Sequence, residues 1–300
     1  MQTILEYIVE RVSSLNKLHS KKIIKNLKKY DDEYFSRAEV FFTKYLALLQ
    51  HENKTIDYAI DCYMQMVADI NYETVQFIRT GAYSSHSFAE VNQRVYNNPD
   101  VMKYYVHGIL LSQFLWVQHY GILKFFNTVI TENREKVNRY LEIGGGHGLY
   151  TSEAINIIGE KARYDLVDIS QSSIDIARSM IANDKVSYTL SDVFNYEPVT
   201  KYDFITMGEV LEHVEDPVKL LKKLSAMLQD DGKLFITAPT NAPTIDHIYL
   251  FKNAQDIRNV ISLSGFETEK EFSIYAEDVP EDIAEKFKVS MMYACVLRKH

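Results

Sequence analysis

The sequence predicts an α/β protein in which an all-helical first half precedes a largely parallel, covered sheet. Three observations carry this. Only one proline and three glycines precede Leu141, whereas five prolines and eight glycines follow it in the 300-residue chain. The first half, poor in such breakers, shows long apolar patterns of period 3.6, the mark of helices. From Arg139 onward, short apolar runs alternate with amphipathic segments, and this β-α-β grammar implies parallel strands with helices on both faces. We therefore divide the chain into a helical domain, 1–134, and a sheet domain, 135–300.

In the first half the periodicity predicts helices near 2–17, 20–29, 32–50, 54–69, 71–80, 86–96 and 99–130. Asn98-Pro99-Asp100 suits the start of the last one. Val101, Tyr104, Tyr105, Gly108, Leu111, Leu115 and Tyr120 give that helix a broad apolar and aromatic face. In the second half RYLEIG (139–144), RYDLVDI (163–169), KVSYTL (185–190), YDFITM (202–207) and KLFITAP (233–239) read as strands. Helices are expected over 149–158, 171–183 and 217–228. FETEKEFSIY (266–275) and VSMMYACVL (289–297) lack a crossover helix between them, beyond a short 280–287 segment, and fit an antiparallel pair at the sheet edge.

Composition narrows the class. Hydrophobic residues make up 46% and charged residues 25%, an ordinary balance for a globular protein with a sizeable core. A formal net charge of −8 argues against attraction to phosphate backbones, so nucleic acid is not the expected partner. The KK-rich segment 21–29 is read as a solvated helix face. Two distant cysteines, Cys62 and Cys295, give no disulfide framework and favour a reducing compartment. Charges at Glu6, Glu10 and Arg11 interrupt what a secretory leader would need, and a cytoplasmic location follows as the expectation. Val106–Leu123 runs 18 residues without a formal charge but contains two His, two Gln, one Ser and two Gly. It is expected to be a buried, substrate-lining helix, with no membrane span.

The strongest local signal is LEIGGGHGLY, 141–150. A strand runs into glycines and a helix follows. Glycine permits the sharp turn and lets a ligand approach the backbone. The spacing Gly144-x-Gly146-x-Gly148, with Glu142 just ahead, is not the G-x-G-x-x-G of dinucleotide sites, because position 149 is Leu. Asp168 ends the next strand and can accept both hydroxyls of a ribose. Asp192 follows the third strand and can accept an amino hydrogen such as that of adenine. Ile169 and Val193 are apolar neighbours able to sandwich a base. All lie at carboxyl ends of parallel strands, where open α/β sheets bind ligands.

These residues carry a resemblance. E-x-G-G-G-x-G at 142–148, Asp168, Asp192 and GEVLEHVEDP at 208–217 resemble, in order and spacing, the class I S-adenosylmethionine-dependent methyltransferases. The resemblance covers 139–297, about half of the chain. It implies a seven-stranded, Rossmann-like sheet with the last strand antiparallel. It also implies S-adenosylmethionine as cofactor, with Gly144 and Gly146 under its methionine part, Asp168 on the ribose and Asp192 near the adenine. His147, within the loop, is expected to cap the helix or touch the cofactor.

TMGEVLEHV, 206–214, then gains a context. On a helix Glu209, Glu212 and His213 would share one face, as metal ligands, an acid/base set or a polar stripe. Such a segment also occurs as plain helix sequence beside the cofactor. E-x-x-E-H resembles the metal-binding segment of ubiquinone-biosynthesis O-methyltransferases and of small-RNA 3′-end 2′-O-methyltransferases. In the latter a further histidine follows the fifth strand, and His247 stands there. The expected divalent metal set is Glu209, Glu212, His213 and His247. Mg²⁺, Mn²⁺, Fe²⁺, Co²⁺ and Zn²⁺ all suit carboxylates and imidazoles. Glu209, His213 and His247 are also the catalytic candidates, and Asp246 and Asn241 are candidates for ordering the His247 loop. His107 and His119 are read as core histidines. Helical additions in this superfamily resemble lids or dimerisation domains, so the first 134 residues are expected to cover the site or join a homodimer. The expected reaction is methyl transfer to a small organic acceptor, preferably at oxygen. Methylation of an RNA end and use of the aminocarboxypropyl arm are the alternatives.

Overall fold

The structure, a computed structural model, describes residues 2–300. Seven helical segments come first. They are α1 (Ile4–Leu15), α2 (Lys17–Leu27), α3 (Asp32–His51), α4 (Ile56–Thr80), α5 (Phe88–Val91, continuing into a wide π-type turn, Asn92–Tyr96), α6 (Pro99–Leu115) and α7 (Val117–Asn133). Local chemistry sets their ends. Thr3 and Glu6 form a reciprocal capping box on α1, Asp31 and Thr55 cap α3 and α4, and Asn98-Pro99 opens α6 as anticipated.

Two segmentations differ from the periodicity. The stretches 54–69 and 71–80 form one helix, α4, which stops where Gly81 adopts φ +73°. The stretch 99–130 is two helices, because Trp116 leaves helical geometry at φ −108°, ψ 127°. No glycine or proline marks that break. Trp116 instead turns so that its indole N–H donates to the buried Tyr63 hydroxyl at 2.8 Å. The uncharged run 106–123 straddles this kink and is largely buried. Among the described residues no helix is long and apolar enough to cross a membrane.

The sheet domain follows as β1 (Arg139–Ile143), α8 (Leu149–Ile158), β2 (Arg163–Asp168), α9 (Gln171–Ile181), β3 (Val186–Leu190), β4 (Tyr202–Gly208), α10 (Pro217–Met227), β5 (Leu228–Thr240), α11 (Ala254–Leu263), β6 (Phe266–Tyr275), α12 (Glu281–Lys286) and β7 (Met291–Lys299). The order is β3-β2-β1-β4-β5-β7-β6. The first five strands are parallel, and β7 runs antiparallel between β5 and β6. The expected seven-stranded sheet is therefore present. Its fifth strand begins five residues earlier than position 233, and α11 was not anticipated.

Alternation along the strands sorts the core. Tyr140, Phe204 and Phe235 face α7, α8 and α9, while Leu141, Ile205 and Ile236 face α10 and α11. Fully burying such a side chain contributes about 1.5–3 kcal/mol. The other helices form a core of their own that reaches Leu149, Ile176 and Met180 on α8 and α9. Strand order reverses between β1 and β4. There, beyond the strand ends, the chain leaves a crevice, and α5 and α6 roof it.

Candidate functional site

The crevice is a cavity of about 400 Å³. Its floor is the glycine loop after β1. Gly144, Gly146 and Gly148 all have positive φ. A Cβ on Gly144 would come within 2.4 Å of Val210, so that glycine serves packing. A Cβ on Gly146 would meet nothing nearer than a backbone oxygen at 4.0 Å, so that glycine leaves room beside the loop.

Asp168 stands at the end of β2, buried but lining the cavity. Its Oδ2 accepts the Gly146 N–H at 2.9 Å and its Oδ1 accepts the Ser170 N–H at 2.8 Å. Burial pushes its pKa up, and these N–H groups oppose the rise. Asp192, Ile169 and Val193 line the same end, and Asp192 Oδ1 accepts the Phe194 N–H at 2.8 Å. Glu142 does not line the cavity. It lies beneath the loop, where Oε2 accepts the Thr151 N–H at 2.9 Å and the Thr151 hydroxyl, and burial pushes it up to about 8. His147 lines the cavity and accepts the Leu149 N–H at 3.3 Å, which places it at the start of α8. Burial pushes it down to about 4.

The other end is built from GEVLEHV, and here the expected helix face is absent. Glu209 adopts φ +53°, a conformation that costs a non-glycine residue roughly 1–2 kcal/mol. Only a single 3₁₀ turn, Leu211–His213, follows. The Glu209 N–H is held by the Thr237 carbonyl at 3.1 Å and the Thr237 hydroxyl at 3.0 Å. Glu209 faces the cavity with its side chain 38% exposed, its Oε1 3.8 Å from His119 Nε2. Burial, with Asp246 adding to it, pushes it up to about 7.

Glu212 does not line the cavity and is fully buried. Neither of its carboxylate oxygens has a hydrogen-bond partner among the described residues. Oε1 is 3.8 Å from Nε2 of His213 and 3.8 Å from Nε2 of His247. The loop after β5 delivers His247, because the Ile248 and Tyr249 N–H groups both donate to the Glu212 carbonyl at 2.9 Å. His213 Nδ1 lies 2.9 Å from the Asp246 carbonyl, and His247 Nδ1 lies 2.6 Å from the Ala242 carbonyl. Each Nδ1 must therefore carry a proton and donate it, which leaves each Nε2 on the carboxylate side, as a lone pair when the ring is neutral. Glu212, His213 and His247 offer ligand atoms all within 4.8 Å of one another. Glu209 is not one of this trio. Burial pushes Glu212 well up, with Glu209 and Asp246 adding to the rise, and burial pushes His247 down to about 3. Two acceptor lone pairs facing a buried carboxylate need a cation or a proton between them.

Asp246 holds this end to the helices. Burial opposes its ionisation, but the neighbouring imidazoles and the hydroxyls of Thr244 and Tyr105 outweigh that and hold it below the usual range. Tyr105 donates to Oδ1 at 2.9 Å and Tyr96 to Oδ2 at 3.3 Å. The sequence offers Asp246 for ordering the His247 loop and places Tyr105 on the apolar and aromatic face of the 99–130 segment. Nothing at positions 96 or 105 signals a partner some 140 residues away.

This fold and cavity define a class. The methyltransferase-domain family model matches residues 118–271, and the chain belongs to that family, the S-adenosylmethionine-dependent class that the sequence resembles. Among curated relatives, the ubiquinone biosynthesis O-methyltransferase of Coxiella burnetii (strain Dugway 5J108-111) is 32% identical over 145 residues, 46% of this chain and 58% of that protein. The malonyl-[acyl-carrier protein] O-methyltransferase 1 of Ilyobacter polytropus is 25% identical over 107 residues, 35% of this chain and 40% of that protein. The chain thus spans about half the length of the curated relatives it matches. Mitomycin 7-O-methyltransferase superposes with a TM-score of 0.54 at 14% identity, covering 77% of this chain and 68% of that one. That likeness speaks to the fold alone.

Proposed function

We propose that this chain moves the methyl group of S-adenosylmethionine to a hydroxyl oxygen of a small, uncharged, largely apolar acceptor, with a divalent cation held by Glu212, His213 and His247. One observation carries the reading. A single cavity has Gly146 and Asp168 at one end, Glu209 and His213 at the other, and an apolar roof of Phe88, Met102, Val106 and Ile109.

The residues present fit the cofactor. The open space beside Gly146 suits its methionine part, Asp168 suits the ribose hydroxyls, and Asp192 with Ile169 and Val193 suits the adenine. The cofactor brings its own leaving group, so the protein's task is to hold acceptor and methyl in line. The trio fits a cation by the chemistry of its donors: one unpartnered carboxylate and two Nε2 lone pairs. Of the trio only His213 lines the cavity, and a cation held beside it would lower the pKa of an acceptor hydroxyl brought to that wall. Glu209, pushed up to about 7, has a proton affinity near neutral pH and is suited to take the hydroxyl proton at Oε1. We propose residues 1–134 as the cap that excludes water and 135–300 as the cofactor domain, with α7 as their common wall.

Among the described residues Lys219 is the only lysine or arginine lining the cavity, which weighs against an anionic acceptor and against an RNA end. Two measurements test the proposal. Protein purified without a His-tag should carry a divalent metal that Glu212→Ala lacks; equal, negligible metal in both would sink the metal. Incubation with S-adenosylmethionine and a panel of small phenols and alcohols should yield S-adenosylhomocysteine and a methyl ether. Methylthioadenosine in its place would overturn methyl transfer.

A further inference from the structure

We infer that Tyr96, Tyr105 and Tyr83 are positioning residues for the Glu212–His213–His247 trio, so that occupation of the trio and order of the cap are linked. The inference rests on the metal reading above and goes one step past it.

The geometry is a relay through one loop, residues 241–248. Each imidazole is oriented by a carbonyl of that loop: His213 by Asp246 and His247 by Ala242. The cap grips each of the same two residues at its remaining polar groups. The Ala242 N–H donates to the Tyr83 hydroxyl at 3.0 Å. The Asp246 carboxylate accepts Tyr105 and Tyr96. The Tyr96 hydroxyl also lies 3.0 Å from His213 Nδ1. Between them, the Ile245 carbonyl accepts the Ser85 hydroxyl at 3.1 Å and the Arg94 guanidinium. Packing alone would be served by phenylalanine at 83, 96 and 105. The hydroxyls add direction, since each fixes the loop whose carbonyls aim the two Nε2 atoms at Glu212.

Groups that orient metal-binding imidazoles set affinity, and removing them weakens it by about 10- to 100-fold. Linkage then makes the effect mutual: whatever the cap contributes to cation affinity, the cation returns as order in the cap. The cap would therefore close on a loaded site and loosen over an empty one, before any acceptor arrives.

The test uses the full chain with Co²⁺ as the only added ligand. Affinity is read from Co²⁺ visible absorption, and cap order from amide hydrogen exchange over residues 83–116. In the wild type, Co²⁺ should slow exchange there. Y96F/Y105F should bind Co²⁺ about 10- to 100-fold more weakly and lose that protection, while its metal-free melting stays cooperative. Y83F, acting through the other imidazole, should do the same and serves if the double variant does not fold. Wild-type affinity and protection in these variants would overturn the linkage and leave the metal reading standing. Absence of Co²⁺ binding by the wild type would overturn both.

Discussion

The two ends of the cavity handle buried carboxylates in opposite ways. At the glycine-loop end the protein satisfies them itself: Asp168 accepts two backbone N–H groups and Glu142 accepts the N–H and hydroxyl of Thr151. At the other end Glu212 is fully buried with both oxygens unpartnered, and two imidazole lone pairs point at it. A carboxylate already supplied with donors is held in place and can still accept from a neutral ligand's hydroxyls. One surrounded by acceptors is arranged for a positive charge. The first end is supplied with the protein's own donors, whereas the second calls for a proton or a cation.

The largest expected effect breaks the complete end. Asp168→Ala removes the proposed ribose acceptor and the tie that holds Gly146. Two hydrogen bonds to a charged group are worth about 1.5–3 kcal/mol each, so S-adenosylmethionine affinity measured by calorimetry should fall about 100- to 10,000-fold. Unchanged affinity would mean that the cofactor lies elsewhere.

A smaller effect, of opposite sign between the ends, sharpens the contrast. Metal-free Glu212→Met replaces an unsatisfied polar group by an apolar one of similar length. Denaturant unfolding without metal should show it more stable than the wild type by about 1–3 kcal/mol. Asp168→Asn, which loses a satisfied acceptor, should be less stable. A destabilised Glu212→Met would show that the carboxylate has partners of its own and would remove the case for a cation.

The two ends also differ in how far the sequence shows them. Gly144, Gly146, Asp168 and Asp192 are legible because each meets a local demand: a positive φ after a strand, or a carboxylate at a strand's carboxyl end. The β-α-β alternation yields the parallel strands and the antiparallel edge for the same reason. At the other end the residue types were visible, but their placement was not. Glu209, Glu212 and His213 have helical spacing, yet Glu209 takes a left-handed conformation and only a single 3₁₀ turn follows it, so the three do not share a helix face. His247 was found through a resemblance and not a local pattern, and Tyr96 and Tyr105 meet Asp246 only through the tertiary fold. The kink at Trp116 likewise depends on Tyr63, more than fifty positions earlier.

Glu142 tests how complete the glycine-loop end is. It has partners, yet burial pushes it up to about 8, against 4.5 for a free glutamate. Below pH 4.5 folded and unfolded chains both hold this proton, and its contribution to stability is fully present. As pH rises toward 8 the unfolded chain releases the proton while the folded chain keeps it, so stability falls. Above about 8 the contribution is gone. The slope cannot exceed one proton, about 1.4 kcal/mol per pH unit. Glu142→Gln keeps an acceptor for the Thr151 N–H and cannot ionise. Its unfolding free energy, measured from pH 5 to 8 and compared with the wild type at each pH, should gain steadily on the wild type as pH rises. Parallel curves would mean that Thr151 holds Glu142 ionised at neutral pH, and that burial at this end costs the carboxylate little.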